Sequence, residues 1–208
     1  MRVVKKCDDA QFQYDWLMAI PSWLRPSGLE IYNGALSYDF IDGQTPRDYY
    51  DVWLMMKQDV WGGMGLTVDR NQYCSYVAGL TDDNMSRVLR IIDKSELTSV
   101  TRCHGDLTLY NCIETVENDL VLFDPNDCHG LPCQELDESK LLQSLDGFDY
   151  VHKGLPPLTH TIMFDCRKVH WALLITHYIR MLRHPDKISN VSQSFARERI
   201  KSIMEWIT

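Results

Sequence analysis

Cys103-His104-Gly105-Asp106-Leu107-Thr108-Leu109-Tyr110-Asn111, followed by Leu120-Val121-Leu122-Phe123-Asp124, is the stretch on which the fold of this chain turns. It presents three oxygen-bearing side chains in a set order. A carboxylate at Asp106 can take the proton of an attacking hydroxyl. Asn111 offers a neutral oxygen and Asp124 a charged one, the hard donors that magnesium shares with substrate phosphates. Cys112 to Val116 and Leu120 to Phe123 read as two strands about a turn at Glu117-Asn118-Asp119, and this hairpin returns the chain to one place. One loop aspartate alone is an ordinary turn cap. Three such groups in register, the last closing the apolar run Leu-Val-Leu-Phe, point to chemistry. His104 reads as a structural support that packs and hydrogen-bonds the loop backbone, and Gly105 as a tight or unusual backbone position.

Working toward the N-terminus, Val3-Val4-Lys5 reads as a short strand whose lysine can meet nucleotide phosphates, with Lys6 on the opposite face by alternation. Asp8 or Asp9 caps a helix running through Gln13 and Trp16 to about Ile20, where Pro21 stops it. An acidic partner for Lys5 is expected on this helix. It holds aspartates but no glutamate, and Gln13 is a neutral replacement. Leu29 to Tyr32 and Ala35 to Ile41 read as strands joined through Asn33-Gly34, a strong hairpin signal, and Asp42-Gly43 closes that segment. Thr45-Pro46 reads as a helix start, with an apolar face of Tyr49, Val52, Trp53 and Met56.

Beyond the break at Gly62-Gly63-Met64-Gly65, helices are expected around 69–79 and 83–93. Toward the C-terminus they are expected over Asp137 to Leu145, with Leu141, Leu142 and Leu145 on one side, then from about Thr161 to Leu182 after the break at Pro156-Pro157, and from about Val191 to Trp206. The reading is a β-rich part over residues 1–43 and a mostly helical part over 44–208 that carries the hairpin.

The 208 residues bear a formal net charge of −8, which argues against a nucleic-acid partner, since phosphate backbones need clustered Lys and Arg. Hydrophobic residues make up 45%, ample for a buried core. No run of about 18 apolar residues is present, so no membrane span is expected. The 7 cysteines include no C-x-x-C pair, which fits a reducing compartment and a cytoplasmic protein.

His104-Gly105-Asp106-Leu107-Thr108-Leu109-Tyr110-Asn111 resembles the H-G-D-x-x-x-x-N motif of the aminoglycoside phosphotransferase and choline kinase-like superfamily. Leu122-Phe123-Asp124-Pro125 resembles its metal-binding strand end, and Glu135 to Leu145 is similar to the helix that follows. The resemblance implies an α+β, protein kinase-like two-lobe fold with a truncated small β-rich N-lobe and a mostly helical C-lobe. It implies ATP (or GTP) and Mg²⁺ as cofactors, Asp106 as base, Asn111 and Asp124 as metal ligands, and Lys5 on the phosphates. Ala35 to Gly43 resembles the strand and hinge that hold the nucleotide base, which assigns Asp39, Phe40 and Ile41 to cofactor binding. Asp137 ties back to the catalytic loop, and His177 to Leu182 is similar to a late helix of related kinases.

The implied activity is transfer of the γ-phosphate to a hydroxyl of a small molecule of the sugar, aminoglycoside or amino alcohol type. Asp146, Asp149, His170 and His177 are acceptor-pocket candidates by residue type. Gly105 in place of the arginine of H-R-D, and the absence of D-F-G and A-P-E, separate the chain from protein kinases. The chain departs from the family in reaching its lysine strand within five residues. The two strands and Gly-rich loop that cover the phosphates elsewhere in the family are not seen. A partner or second subunit completing the N-lobe is one expectation, and a catalytically weak or inactive nucleotide-binding regulator is the alternative function.

Overall fold

The computed structural model describes residues 1–7, 9–46, 48–63, 65–78, 85–154 and 165–207. Strand β1 (Arg2–Lys5) is alternately exposed and half-buried, and this sets Val3 and Lys5 on one face. Helix α1 (Ala10–Met18) begins where the Asp9 carboxylate accepts the Phe12 N–H at 3.3 Å. It buries Gln13, Trp16 and Leu17 and ends two residues before Ile20. A 3₁₀ turn (Ser22–Leu24) leads to β2 (Glu30–Tyr32) and β3 (Ala35–Asp39). Asn33 and Gly34 both adopt positive φ, 49° and 74°, the backbone that a two-residue hairpin turn requires. The three strands form an antiparallel sheet in the order β1-β3-β2, with Lys5 opposite Leu36 and Arg2 opposite Asp39. Helix α1 packs on β2 and β3.

Two expectations are corrected here. Asp42-Gly43 does not close the β segment: Gly43–Gln44 form β4, which pairs with Thr115 and Glu114 of the later hairpin. Thr45-Pro46 does not start a helix. Helix α2 (Tyr49–Met55) starts after Asp48, whose carboxylate accepts the Tyr50 N–H at 2.8 Å. The chain is committed to the second sheet at residue 44, so it turns into a helix only once it has left that pairing. Helix α2 runs into a π-helical turn (Met56–Val60).

Helices α3 (Arg70–Ala78) and α4 (Met85–Lys94) follow, and residues 79, 83 and 84 of the expected helices lie outside those described. Helix α4 buries Met85, Val88 and Ile92, one stripe at helical spacing. A 3₁₀ turn (Leu109–Asn111) then enters β5 (Cys112–Thr115) and β6 (Leu120–Leu122), completing the sheet β4-β5-β6. The remaining helices are α5 (Gln134–Leu145), α6 (Phe148–Lys153), α7 (Lys168–Leu182) and α8 (Asn190–Ile207). Helix α7 is shorter than expected, because 165–167 are not helical and 161–164 lie outside the described residues.

Helix α7 packs against α4, α5 and α8, and its Leu173, Leu174, Ile175 and Tyr178 are buried. The architecture is α+β, dominated by helices with two small sheets. Among the described residues no helix is long and apolar enough to cross a membrane.

Candidate active site

Helix α5 is buried along nearly its whole length, charged residues included. An all-round buried helix is normally apolar, and here every buried charge has a partner. Glu135 accepts from the Thr98 N–H and hydroxyl and pairs with Arg167. Glu138 accepts from Trp53 Nε1 and pairs with His170, both at 2.7 Å. The opposite stripe runs Asp137, Lys140, Ser144, at i, i+3 and i+7, and faces the 104–109 loop in chain order. Asp137 accepts the His104 and Gly105 N–H groups, each at 2.8 Å, and Trp61 Nε1 at 2.9 Å. Lys140 Nζ stands 2.8 Å from Asp106 Oδ1, and Ser144 Oγ accepts the Leu109 N–H at 3.2 Å. The polar stripe carries the loop, and the leucines carry the core.

Asp106 is the hub of that loop. Its carboxylate is 30% exposed, meets Lys140, and accepts from Asn111 Nδ2 at 3.1 Å, while Arg180 Nη2 lies 3.8 Å away. Burial works to raise its pKa, but Lys140 and Arg180 outweigh burial and hold it down to about 2. Lys140, only 2% exposed, is itself lowered by burial against the pull of Asp106.

His104 is buried. Its Nε2 lies 3.1 Å from the Phe123 carbonyl and its Nδ1 faces the Asp106 N–H at 3.4 Å. Both contacts are met by the neutral ring protonated at Nε2, and burial lowers its pKa in the same sense. Trp16 packs edge-on against this ring and donates to the Cys103 carbonyl at 2.9 Å. In this way α1 is anchored to the loop.

Gly105 has φ +74°, and a Cβ there would overlap the Asn126 carbonyl oxygen, on the strand exit that also donates to the His104 carbonyl at 2.8 Å. Gly105→Ala is expected to cost about 2–4 kcal/mol, combining left-handed strain with overpacking. A urea unfolding midpoint at the wild-type value would refute this.

Asp124 follows β6 with φ 65°, an uncommon backbone for a non-glycine residue. This conformation sends its carboxylate to Lys5, which pairs with Oδ1, and to Gln13 Nε2 at 2.9 Å on the same oxygen. Strand β1, helix α1 and the β6 end therefore converge on one carboxylate. Gln13 stands where the sequence suggested a neutral replacement for an acid, but it bonds Asp124. Its Oε1 is a buried acceptor with no partner among the described residues.

Asn111 and Asp124 are brought to one end of the hairpin: the Phe123 N–H donates to the Asn111 carbonyl at 3.1 Å. Asn111 spends its amide nitrogen on Asp106, both carboxylate and carbonyl, which leaves the amide oxygen as its donor toward a cation. Two protein oxygens suit magnesium, which keeps several waters and takes the rest of its shell from substrate phosphates. Among the described residues no group of three or more His, Cys, Asp or Glu side chains forms a self-sufficient metal cage.

Strand β3 stops at Asp39, short of the Ile41 end expected, so of the three base-binding candidates Asp39 ends the strand, about 10 Å along the ladder from Lys5 at roughly 3.4 Å per residue, and Phe40 and Ile41 follow it outside the sheet. Phe40 is exposed, and Asp39 accepts from the Ser27 hydroxyl at 3.1 Å. The acceptor candidates chosen by residue type are mostly occupied. Asp146 binds Arg199 and the Tyr178 hydroxyl, His170 pairs with Glu138, His177 meets the Ser139 hydroxyl at 2.8 Å, and Asp149 accepts from Ser144. Lys140, Ser144 and Arg180 were not anticipated. The signal available for the first two was the polar i, i+3, i+7 stripe from Asp137.

Comparison of the chain with protein-family models, with curated proteins and with solved structures returned no match.

Proposed function

We propose that the protein is a kinase-like phosphotransferase. It would use ATP (or GTP) with Mg²⁺ to phosphorylate a hydroxyl of a small molecule of the sugar, aminoglycoside or amino alcohol type. The observation that carries this reading is the convergence of Lys5, Gln13 and Asp124 at the hairpin end, one loop away from an Asp106 held by Asn111. The β-rich part over 1–43 and the helical part over 44–208 are then the two lobes of a protein kinase-like fold, with Asp39, Phe40 and Ile41 on the nucleotide base.

In this reading Lys5 leaves Asp124 to meet the phosphates. Asp124 and the Asn111 amide oxygen hold the cation. A bound magnesium ion supplies neutralisation of charge on the phosphates. Asp106 receives and orients the acceptor hydroxyl, and Asp137 keeps the 104–106 backbone rigid while it does so. Positioning and electrostatics dominate such a transfer.

Titrating ATP with magnesium calorimetrically into wild type and Asp124→Ala tests the reading. The variant is expected to bind at least about tenfold more weakly. Equal affinity would remove Asp124 from the metal site and with it the proposal.

The second reading is a nucleotide-binding regulator without turnover. It is favoured by Lys5 being spent on Asp124, by glutamine rather than an acid at 13, and by β1 standing at the edge of its sheet, where a partner or second subunit would add strands. Binding of ATP with magnesium, combined with no phosphorylation of any acceptor in a broad hydroxyl-compound screen, would select it.

A further inference from the structure

Among the described residues, Asp106 faces two cations, Lys140 and Arg180. A narrow cleft beside Gly105 is lined by Tyr73, Tyr76, Asp127, His129, His177 and Arg180. Arg180, on α7, is 23% exposed, and Asp106 lies beyond hydrogen-bonding distance of its guanidinium at 3.8 Å. The Tyr76 hydroxyl bonds to it, and its charge is secure because Asp106 and Tyr76 outweigh the effect of burial. Lys140 stands behind, fully buried, shared between Asp106 and Gln143 Oε1 at 3.2 Å.

Among the described residues, His177, Asp127 and Asp149 are further titratable groups at this place, besides the neutral His104. His177 is neutral, its pKa driven down by burial and by both cations. Asp127 is turned to His129, whose Nδ1 is 3.3 Å from its carboxylate and whose ring stacks on Tyr76. Asp149 is tied to Ser144 with its pKa raised by burial. Two cations therefore press on one carboxylate, which is the reverse of what a positively charged acceptor needs.

Resting on the phosphotransferase reading, we propose that the acceptor is an anionic hydroxyl compound, a sugar carrying a phosphate or carboxylate, whose negative group docks on Arg180 with Lys140 behind it. A guanidinium matches either anion with two parallel N–H···O bonds. In the transfer, the acceptor oxygen bonds to the terminal phosphorus as the bond to the bridging oxygen breaks. The nucleoside diphosphate leaves with that electron pair, and the hydroxyl proton goes to Asp106.

The test uses the full chain and three probes, glucose 6-phosphate, gluconate and glucose, titrated calorimetrically into wild type, Arg180→Gln and Arg180→Lys. Circular dichroism checks that each variant is folded. Wild type is expected to bind at least one of the two anions tenfold or more tightly than glucose, by about the margin of one or two charge-assisted bonds. Arg180→Gln is expected to erase that margin and Arg180→Lys to keep part of it. The two anions distinguish a phosphate site from a carboxylate site. Equal binding of all three probes, or no binding of either anion at about 10 mM, overturns the proposal.

ATP with magnesium is titrated into the same samples. If Arg180→Gln weakens it as much as it weakens the anion, Arg180 serves the nucleotide and the proposal falls. If wild type fails to bind ATP, the phosphotransferase reading falls, while the anion titrations still decide whether Arg180 forms an anion site.

Discussion

Asp106→Asn is expected to slow phosphoryl transfer by about a thousandfold, within the range that a positioned acid or base contributes. Asparagine keeps nearly the same shape but has one oxygen in place of the two that Lys140 and the Asn111 amide nitrogen use, so one of those bonds is lost, while the Asp137 and Ser144 contacts still hold the loop. What it loses is the charge that orients the hydroxyl and accepts its proton. The variant also leaves Lys140 buried without its counter-charge, a change that costs about 3–5 kcal/mol if the ammonium stays charged. Burial already lowers the Lys140 pKa, so the lysine is expected to release its proton instead and soften that cost. Single-turnover rates with a working acceptor, read beside thermal unfolding and the affinity for ATP with magnesium, separate chemistry from folding. Transfer at the wild-type rate in a folded variant would strip Asp106 of its assigned role.

Asp137→Ala is expected to be the most destabilising single change at the site, by about 4 kcal/mol or more. The carboxylate accepts from the His104 and Gly105 amides and from the Trp61 indole, all in the interior. Each buried donor left without an acceptor costs about 1–3 kcal/mol, and the truncation adds a cavity. Asp137→Asn keeps one oxygen and turns two donors toward groups that are themselves donors, so it is expected to fall between wild type and alanine. Because the same bonds set the 104–106 backbone, activity should drop in both variants even at temperatures where they remain folded. Urea unfolding that places the alanine variant within 1 kcal/mol of wild type would show that Asp137 does not hold the loop.

The parts that were legible in the sequence are those governed by local backbone energetics. Asn33-Gly34 announced its turn because few residues accept positive φ at two successive positions. The hairpin from Cys112 to Leu122 followed from two short apolar runs about a polar turn. Helix α5 was legible as a helix through Leu141 and Leu142, but its character was not. Counting leucines suggested one buried side, whereas nearly every residue is buried and the charges face partners from Thr98, His104, Asp106 and Arg167. Thr45-Pro46 carried a sound local start signal that lost to the pairing of Gly43–Gln44 with β5.

The chain by itself determined which chemical groups are present and in what order: a strand lysine, an aspartate in a loop, an asparagine five residues on, and an aspartate closing an apolar strand. Turn preferences and side-chain periodicity act over a few residues, so these features can be read along a line. The tertiary structure alone decided what each group feels. Lys5 and Gln13 reach Asp124 only because α1 and the first sheet pack against the hairpin end. Lys140 and Arg180 reach Asp106 only because α5 and α7 pack beneath the loop. Coulomb interactions depend on distance and burial rather than on separation along the chain, and both are products of packing.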